Sequence, residues 1–195
     1  MIDKKSEDAI IIDPGLDFEA IKTTEEALKI KPIAIISTHG HFDHIGNVAY
    51  LQKKYDIPFY LHEKDIKISK AANFYLKMSK LPMIEIPKPD FLFEGKELKV
   101  VIGPFTFNIY NFPGHTDGSC LIKLDNNIFS GDIIYKSGLG FNHFPGEDKL
   151  KLKDSVKEIF TLFQNDVMIY PGHGSSVSLQ EIRTQNTELI DFINS

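Results

Sequence analysis

An α/β fold with two stacked sheets covered by helices is predicted for this 195-residue chain. Three observations predict it. Short apolar, β-branched runs fall into two groups, one near the N-terminus and one in the middle of the chain. Amphipathic stripes with helical spacing alternate with the first group and frame the last strand of the second. Proline and glycine clusters such as Asp13-Pro14-Gly15 and Pro171-Gly172 mark where these segments end.

Residues 9–12 read as a strand, closed by Asp13-Pro14-Gly15. Residues 17–29 read as a helix because Phe18, Ile21 and Leu28 share one face. The run Ile33-Ala34-Ile35-Ile36 reads as a buried strand over 33–37. A helix over 46–55, a short strand over 58–61 and a helix over 63–80 follow, until Pro82, Pro87 and Pro89 break regular structure. Residues 98–102 and 105–111 form a hairpin across Gly103-Pro104, and 121–124 and 128–130 form another across Asp125-Asn126-Asn127. Leu152, Val156, Ile159, Phe160 and Phe163 make a helical stripe. A strand over 167–170 precedes a last stripe of Leu179, Ile182, Leu189, Ile190 and Ile193. No repeat or low-complexity linker interrupts the order, so residues 1–195 are expected to form one domain.

Composition narrows the functional classes. A net charge of −5 and a pI near 5.8 argue against a nucleic-acid surface, which is normally basic. Arg183 is the only arginine, so bidentate guanidinium clamps are scarce and an anionic substrate would rely on lysine, backbone amides or metal. Cys120 is the only cysteine, which rules out an internal disulfide and fits a cytoplasmic location. No apolar run approaches the ~20 residues that span a bilayer, and Met1-Ile2-Asp3-Lys4-Lys5 lacks a signal-peptide core. The expected partner is a small-molecule substrate, with neither nucleic acid nor membrane.

The chemistry is concentrated in Thr38-His39-Gly40-His41-Phe42-Asp43-His44. Imidazole nitrogen and carboxylate oxygen are the donors that zinc and similar ions accept. Clustered imidazoles gain little from a shared apolar core, so packing does not explain the run. It follows a strand-like segment, on a loop where a scaffold commonly presents chemistry. His115 in Pro113-Gly114-His115, Asp132 in Ser130-Gly131-Asp132 and His173 in Pro171-Gly172-His173-Gly174 repeat the same style. Each follows a strand and is flanked by glycine. Taken alone, each would be only a turn, but the cluster supplies too few ligands for two metals and draws them in. His62 reads as a strand-end histidine with a satisfied hydrogen bond, and Cys120 as a buried thiol. The lysines over 149–157 read as a solvated helix face.

The ordered set His-x-His-x-Asp-His, then His, Asp and His in separate loops, resembles the metallo-β-lactamase superfamily over nearly the whole chain. Within it, the chain resembles the short single-domain form of glyoxalase II, the hydroxyacylglutathione hydrolases. About twenty residues follow His173, so no counterpart is expected for the extra helical region of full-length glyoxalase II, which helps hold glutathione. The resemblance implies a four-layer αββα sandwich, with Met1-Ile2 as the tail of an incomplete first strand. It implies two divalent metal ions, zinc first and iron or manganese as alternatives. His39, His41 and His115 would hold one, Asp43, His44 and His173 the other, and Asp132 would bridge both. β-Lactamases typically carry Arg where His44 stands and Cys where Asp132 stands, and flavodiiron proteins carry Glu where His41 stands. After Asp132 the sequence departs from the short glyoxalase II pattern, with Phe141 where Arg is usual and His143 where Asp is usual. Tyr135, Lys136 and Phe141 are the expected substrate contacts.

The activity implied is hydrolysis of a thioester such as S-lactoylglutathione by a hydroxide bridging the metals, with Asp43 orienting it. A thiol leaving group with a pKa near ~8.5 departs without a strong general acid. Asp13 is expected either to orient a ligand imidazole or to cap the helix after Pro14-Gly15. Two other activities share the pattern: a persulfide dioxygenase using one iron on His39, His115 and Asp132, and a lactone hydrolase. A non-catalytic, metal-stabilised binding protein is the bland alternative.

Overall fold

The computed structural model describes residues 1–28, 30–140 and 146–195. Lys29 and residues 141–145, which include Phe141 and His143, lie outside the described residues. The chain divides into two compact units, residues 1–94 with 101–106 and residues 95–100 with 107–195. The fold is mixed α/β, with two sheets flanked by helices.

In the first unit, β1 (Asp8–Ile12), β2 (Lys31–Ile36), β3 (Phe59–His62) and β4 (Phe91–Phe93) form a four-stranded sheet in that order. All three pairings are parallel. Parallel neighbours need a crossover, and helices supply it. The first is α1 (Phe18–Leu28), which runs between β1 and β2. Its first turn is tied by the Asp17 carboxylate, which accepts from Ala20 N–H at 2.9 Å. Between β2 and β3 run α2 (Phe42–Ile45) and α3 (Val48–Tyr55). Ala34, Ile35 and Ile36 of β2 are fully buried, as expected of a strand in a parallel sheet, and Ile33 is half-buried. Ile35, Leu51, Phe59 and Leu61, all fully buried, anchor the core of this unit.

The helix expected over 63–80 is three pieces. A 3₁₀ turn (Glu63–Asp65) leads into α4 (Ile66–Lys70), and α5 (Ala72–Met78) follows. The break falls at Ala71, whose N–H is shared between the carbonyls of Lys67 and Ile68. Strand β4 was hidden in the sequence among prolines, and it is only three residues long. Ile2 makes an antiparallel bridge with Ala9, and the Met1 carbonyl accepts from Ile10 N–H.

The second sheet has six strands in the order β10-β9-β8-β7-β6-β5. They are β5 (Glu97–Ile102), β6 (Phe105–Asn111), β7 (Cys120–Leu124), β8 (Asn127–Gly131), β9 (Met168–Pro171) and β10 (Val177–Ser178). β8 and β9 are parallel, and the crossover between them is α6 (Lys149–Leu162). Leu152, Val156 and Ile159 of α6 are fully buried, and Asp148 caps its first turn by accepting from Leu150 and Lys151 N–H. The last apolar stripe is two helices, α7 (Leu179–Gln185) and α8 (Thr187–Asn194). They part at Asn186, whose side chain caps α8 and donates to the carbonyls of Tyr135 and Gly138. Among the described residues no helix is long and apolar enough to cross a membrane.

Candidate metal centre

In the first unit, four potential donors leave the carboxyl end of β2, the end at which open α/β sheets place ligands. His39 and His41 lie in the loop, while Asp43 and His44 ride on α2, so the cluster is half loop and half helix. His39, His41 and His44 are buried, and the Asp43 side chain is about a third exposed. His39 Nε2 and His41 Nδ1 stand 3.1 Å apart.

The Asp13 carboxylate organises this segment from the end of β1. Its Oδ1 accepts from Thr38 N–H at 2.8 Å and its Oδ2 from the Thr38 hydroxyl at 2.6 Å. With its proton given to Asp13, Thr38 Oγ1 accepts from His39 Nδ1 at 3.1 Å. His39 Nε2 then carries the lone pair a metal needs. His44 Nδ1 also lies 3.0 Å from Asp13 Oδ2, which favours its proton there and leaves Nε2 as the donor. Capping of α1 falls to Asp17 instead.

In the second unit, three donors arrive from three strands. His115 follows β6, Asp132 directly follows Gly131 of β8, and His173 follows Pro171 of β9. Gly131 pairs with Pro171, and Gly172 N–H donates to the Gly131 carbonyl at 2.9 Å. This parallel register sets Asp132 beside His173: its Oδ2 is 3.5 Å from His173 Nε2. The same oxygen is 3.7 Å from His115 Nε2. His115 is oriented by the Gly140 carbonyl, 2.9 Å from Nδ1. A carbonyl can only accept, so Nδ1 bears the proton and Nε2 the lone pair. Glu147 Oε1 lies 3.5 Å from the same Nδ1.

The turn that carries His115 is tied by hydrogen bonds and close packing. Ser119 Oγ accepts from Thr116 N–H at 2.9 Å, and Asp148 N–H donates to the Gly114 carbonyl at 2.7 Å. Gly114 has a φ of +139°, and a Cβ there would lie 2.3 Å from Leu152 backbone atoms. Only glycine allows α6 to approach so closely.

The donor set fits divalent metal chemistry. With metal–nitrogen bonds of ~2.0–2.1 Å, two ligands of one tetrahedral ion stand about 3.3 Å apart. The separations of 3.1, 3.5 and 3.7 Å bracket that spacing. Among the described residues, the first unit offers His39, His41, Asp43 and His44 and the second offers His115, Asp132 and His173 as metal-type donors.

The family model for the metallo-β-lactamase superfamily matches residues 1–173. The chain belongs to this superfamily. Among relatives of this superfamily member, "Probable metallo-hydrolase YqgX" of Bacillus subtilis is 32% identical, covering 94% of this chain and 88% of that protein. "Hydroxyacylglutathione hydrolase GloC" of Haemophilus influenzae is 31% identical, covering 96% and 88%. Among solved structures, BLEG-1, named a B3 metallo-β-lactamase, superposes with a TM-score of 0.87 at 29% identity, covering 97% of this chain and 91% of that one. TTHA1623 in a di-iron-bound form gives 0.81 at 29% identity, covering 90% and 86%. The superfamily chain is thus a metallo-hydrolase relative with a potential metal-binding His/Asp cluster.

Tyr135 and Lys136 line a cavity of about 520 Å³ together with His173 and Ser175. Phe141 lies outside the described residues. A larger cavity of about 630 Å³, bordered by Lys53, Glu85 and Asp90, contains none of the donors. His62 is buried, and its Nδ1 accepts from Lys64 N–H at 3.3 Å. Cys120 is buried and donates to the Gly118 carbonyl. Sequence reasoning missed the Gly140 carbonyl and Glu147. Neither carries a local signal, because their roles depend on where the chain returns 25 or more residues later.

Proposed function

We propose that the protein is a dinuclear metallohydrolase acting on thioesters, of which S-lactoylglutathione is the model substrate. The observation that carries this reading is the single Asp132 oxygen facing both His115 and His173, at 3.7 and 3.5 Å. One carboxylate oxygen between two imidazoles is suited to bridging two ions. The relative named hydroxyacylglutathione hydrolase, matched over most of its length, supports the thioester class. In this reading His39, His41 and His115 would hold one ion, Asp43, His44 and His173 the other, and Asp132 would contribute to both. Zinc is the first expectation, and the di-iron form of TTHA1623 keeps iron in view. The substrate is a small molecule met in the cytoplasm.

A bound divalent pair supplies a water of lowered pKa, from ~15.7 towards ~7, and a Lewis acid for the carbonyl. The protein's own residues do the rest. The partly exposed Asp43 carboxylate accepts a hydrogen bond from the attacking water and orients it. Asp13 and Thr38 hold His39 and His44 in the metal-binding tautomer, and the Gly140 carbonyl does the same for His115. Tyr135 and Lys136 border the cavity in which the thiol portion would lie, with the lysine ammonium facing any carboxylate on it. The thiol departs as a thiolate, so no strong acid is needed.

Metal analysis of the purified protein, coupled to assays on thioesters, lactones and a persulfide with oxygen, tests the reading. Two metal equivalents and thioester turnover are expected. One iron with oxygen consumption, or turnover of lactones alone, would replace it.

A further inference from the structure

We infer that Asp65 is a positioning residue for the first metal, acting through the backbone of Gly40. The inference rests on the dinuclear reading above. Asp65 is fully buried, and its Oδ2 accepts from Gly40 N–H at 2.8 Å. Gly40 is the single residue between His39 and His41. Rotation of its peptide plane changes the angle between the two imidazoles, which stand 3.1 Å apart at Nε2 and Nδ1. A hydrogen bond to that N–H therefore fixes the bite of the two donors.

Two further features separate this from ordinary packing. Asp65 occupies the N-cap position of α4, where an aspartate usually caps the helix, yet its side chain makes no cap hydrogen bond. The carboxylate is turned toward the donor loop instead. The loop and the 3₁₀ turn also meet at backbone distance. A Cβ at Gly40 would stand 2.8 Å from the Asp65 carbonyl oxygen and 3.2 Å from Ser69 N, so glycine is needed for the approach. Burial of a carboxylate is costly unless it is well partnered, and near a cation site its charge adds to the attraction.

The test is titration of the metal-free protein with Co(II), read by the visible absorption of the bound ion and by its binding constants. Far-UV circular dichroism and melting of the metal-free form run alongside. Wild type should bind two equivalents. Asp65→Ala should lose affinity for one equivalent by about 10–100-fold and shift its absorption bands, with the second equivalent less changed. Asp65→Asn, which keeps an acceptor oxygen in place, should recover most of the wild-type spectrum. Gly40→Ala approaches the same contact from the other side and should reproduce the Asp65→Ala spectrum, which covers the case where Asp65→Ala does not fold. Unchanged spectra and affinities in a folded Asp65→Ala or Gly40→Ala protein would overturn the inference. So would melting shifts with no change at the metal. A wild type that binds no Co(II), or only one, would instead overturn the dinuclear reading.

Discussion

The two units present donors by different means. The first keeps four of them in six consecutive residues, tied by short local contacts and one carboxylate from the neighbouring strand. The second draws one donor from the end of each of three strands, and sheet register and turn packing make them neighbours. Local donors should be tuned by hydrogen bonds. Dispersed donors should depend on backbone geometry, and small insults to that backbone should travel to the metal.

The largest effect is expected at Asp132, a donor whose Oδ2 faces two imidazoles. Asp132→Ala should lower metal content and reduce turnover by more than about 100-fold, beyond the range typical of outer-shell changes. Metal analysis and thioester kinetics check this, and near-normal stoichiometry with near-normal turnover would remove the bridging role.

Gly140→Ala should come next and would show how strongly the second unit relies on backbone. A Cβ at Gly140 would fall 1.7 Å from the Asp132 carbonyl oxygen, while the Gly140 carbonyl orients His115. The chain must shift, at a cost of about 1–3 kcal/mol in denaturant unfolding, and metal affinity should fall with it. A variant that loses stability but keeps metal affinity would show that the two functions of this glycine are separable.

Asp13→Ala probes the first unit's local wiring. It removes the acceptor for Thr38 N–H and the Thr38 hydroxyl and the carboxylate beside His44. Metal affinity should fall by about 10–100-fold. Asp13→Asn should fall less, because one acceptor oxygen remains. Equal losses in the two variants would mean that charge, rather than the hydrogen bonds, is what His44 requires.

The smallest effect is expected on the substrate side. Arg183 is the only arginine in the sequence, and its guanidinium is engaged with the Phe163 carbonyl and Asn165. In the proposed reading, recognition of a glutathione carboxylate would rest on Lys136, which lines the cavity beside His173, or on backbone groups. Replacing S-lactoylglutathione by a truncated lactoyl thioester should therefore reduce kcat/KM by less than about tenfold, or about 1.4 kcal/mol. A loss of several orders of magnitude would show that remote binding energy is used in the transition state.

The sequence by itself determined the donor types, their order and most strands and helices. These are local properties: apolar periodicity reports burial, and glycine beside histidine reports a turn. The first unit's cluster was legible for that reason. Three things were decided only in three dimensions. The continuous helical pattern over 63–80 breaks at Ala71, and Asp65 turns from α4 to the Gly40 backbone. Strands β4 and β10 are too short for periodicity to register, and they exist because a neighbouring strand offers its hydrogen-bonding edge. Asp13 could have capped a helix or oriented a histidine, and only the register of β1 against β2, which pairs Ile12 with Ile36, brought Thr38 and His44 within its reach. For Asp65 and Asp13 the reason is distance along the chain: the partner lies 25 residues away, where no local pattern can name it.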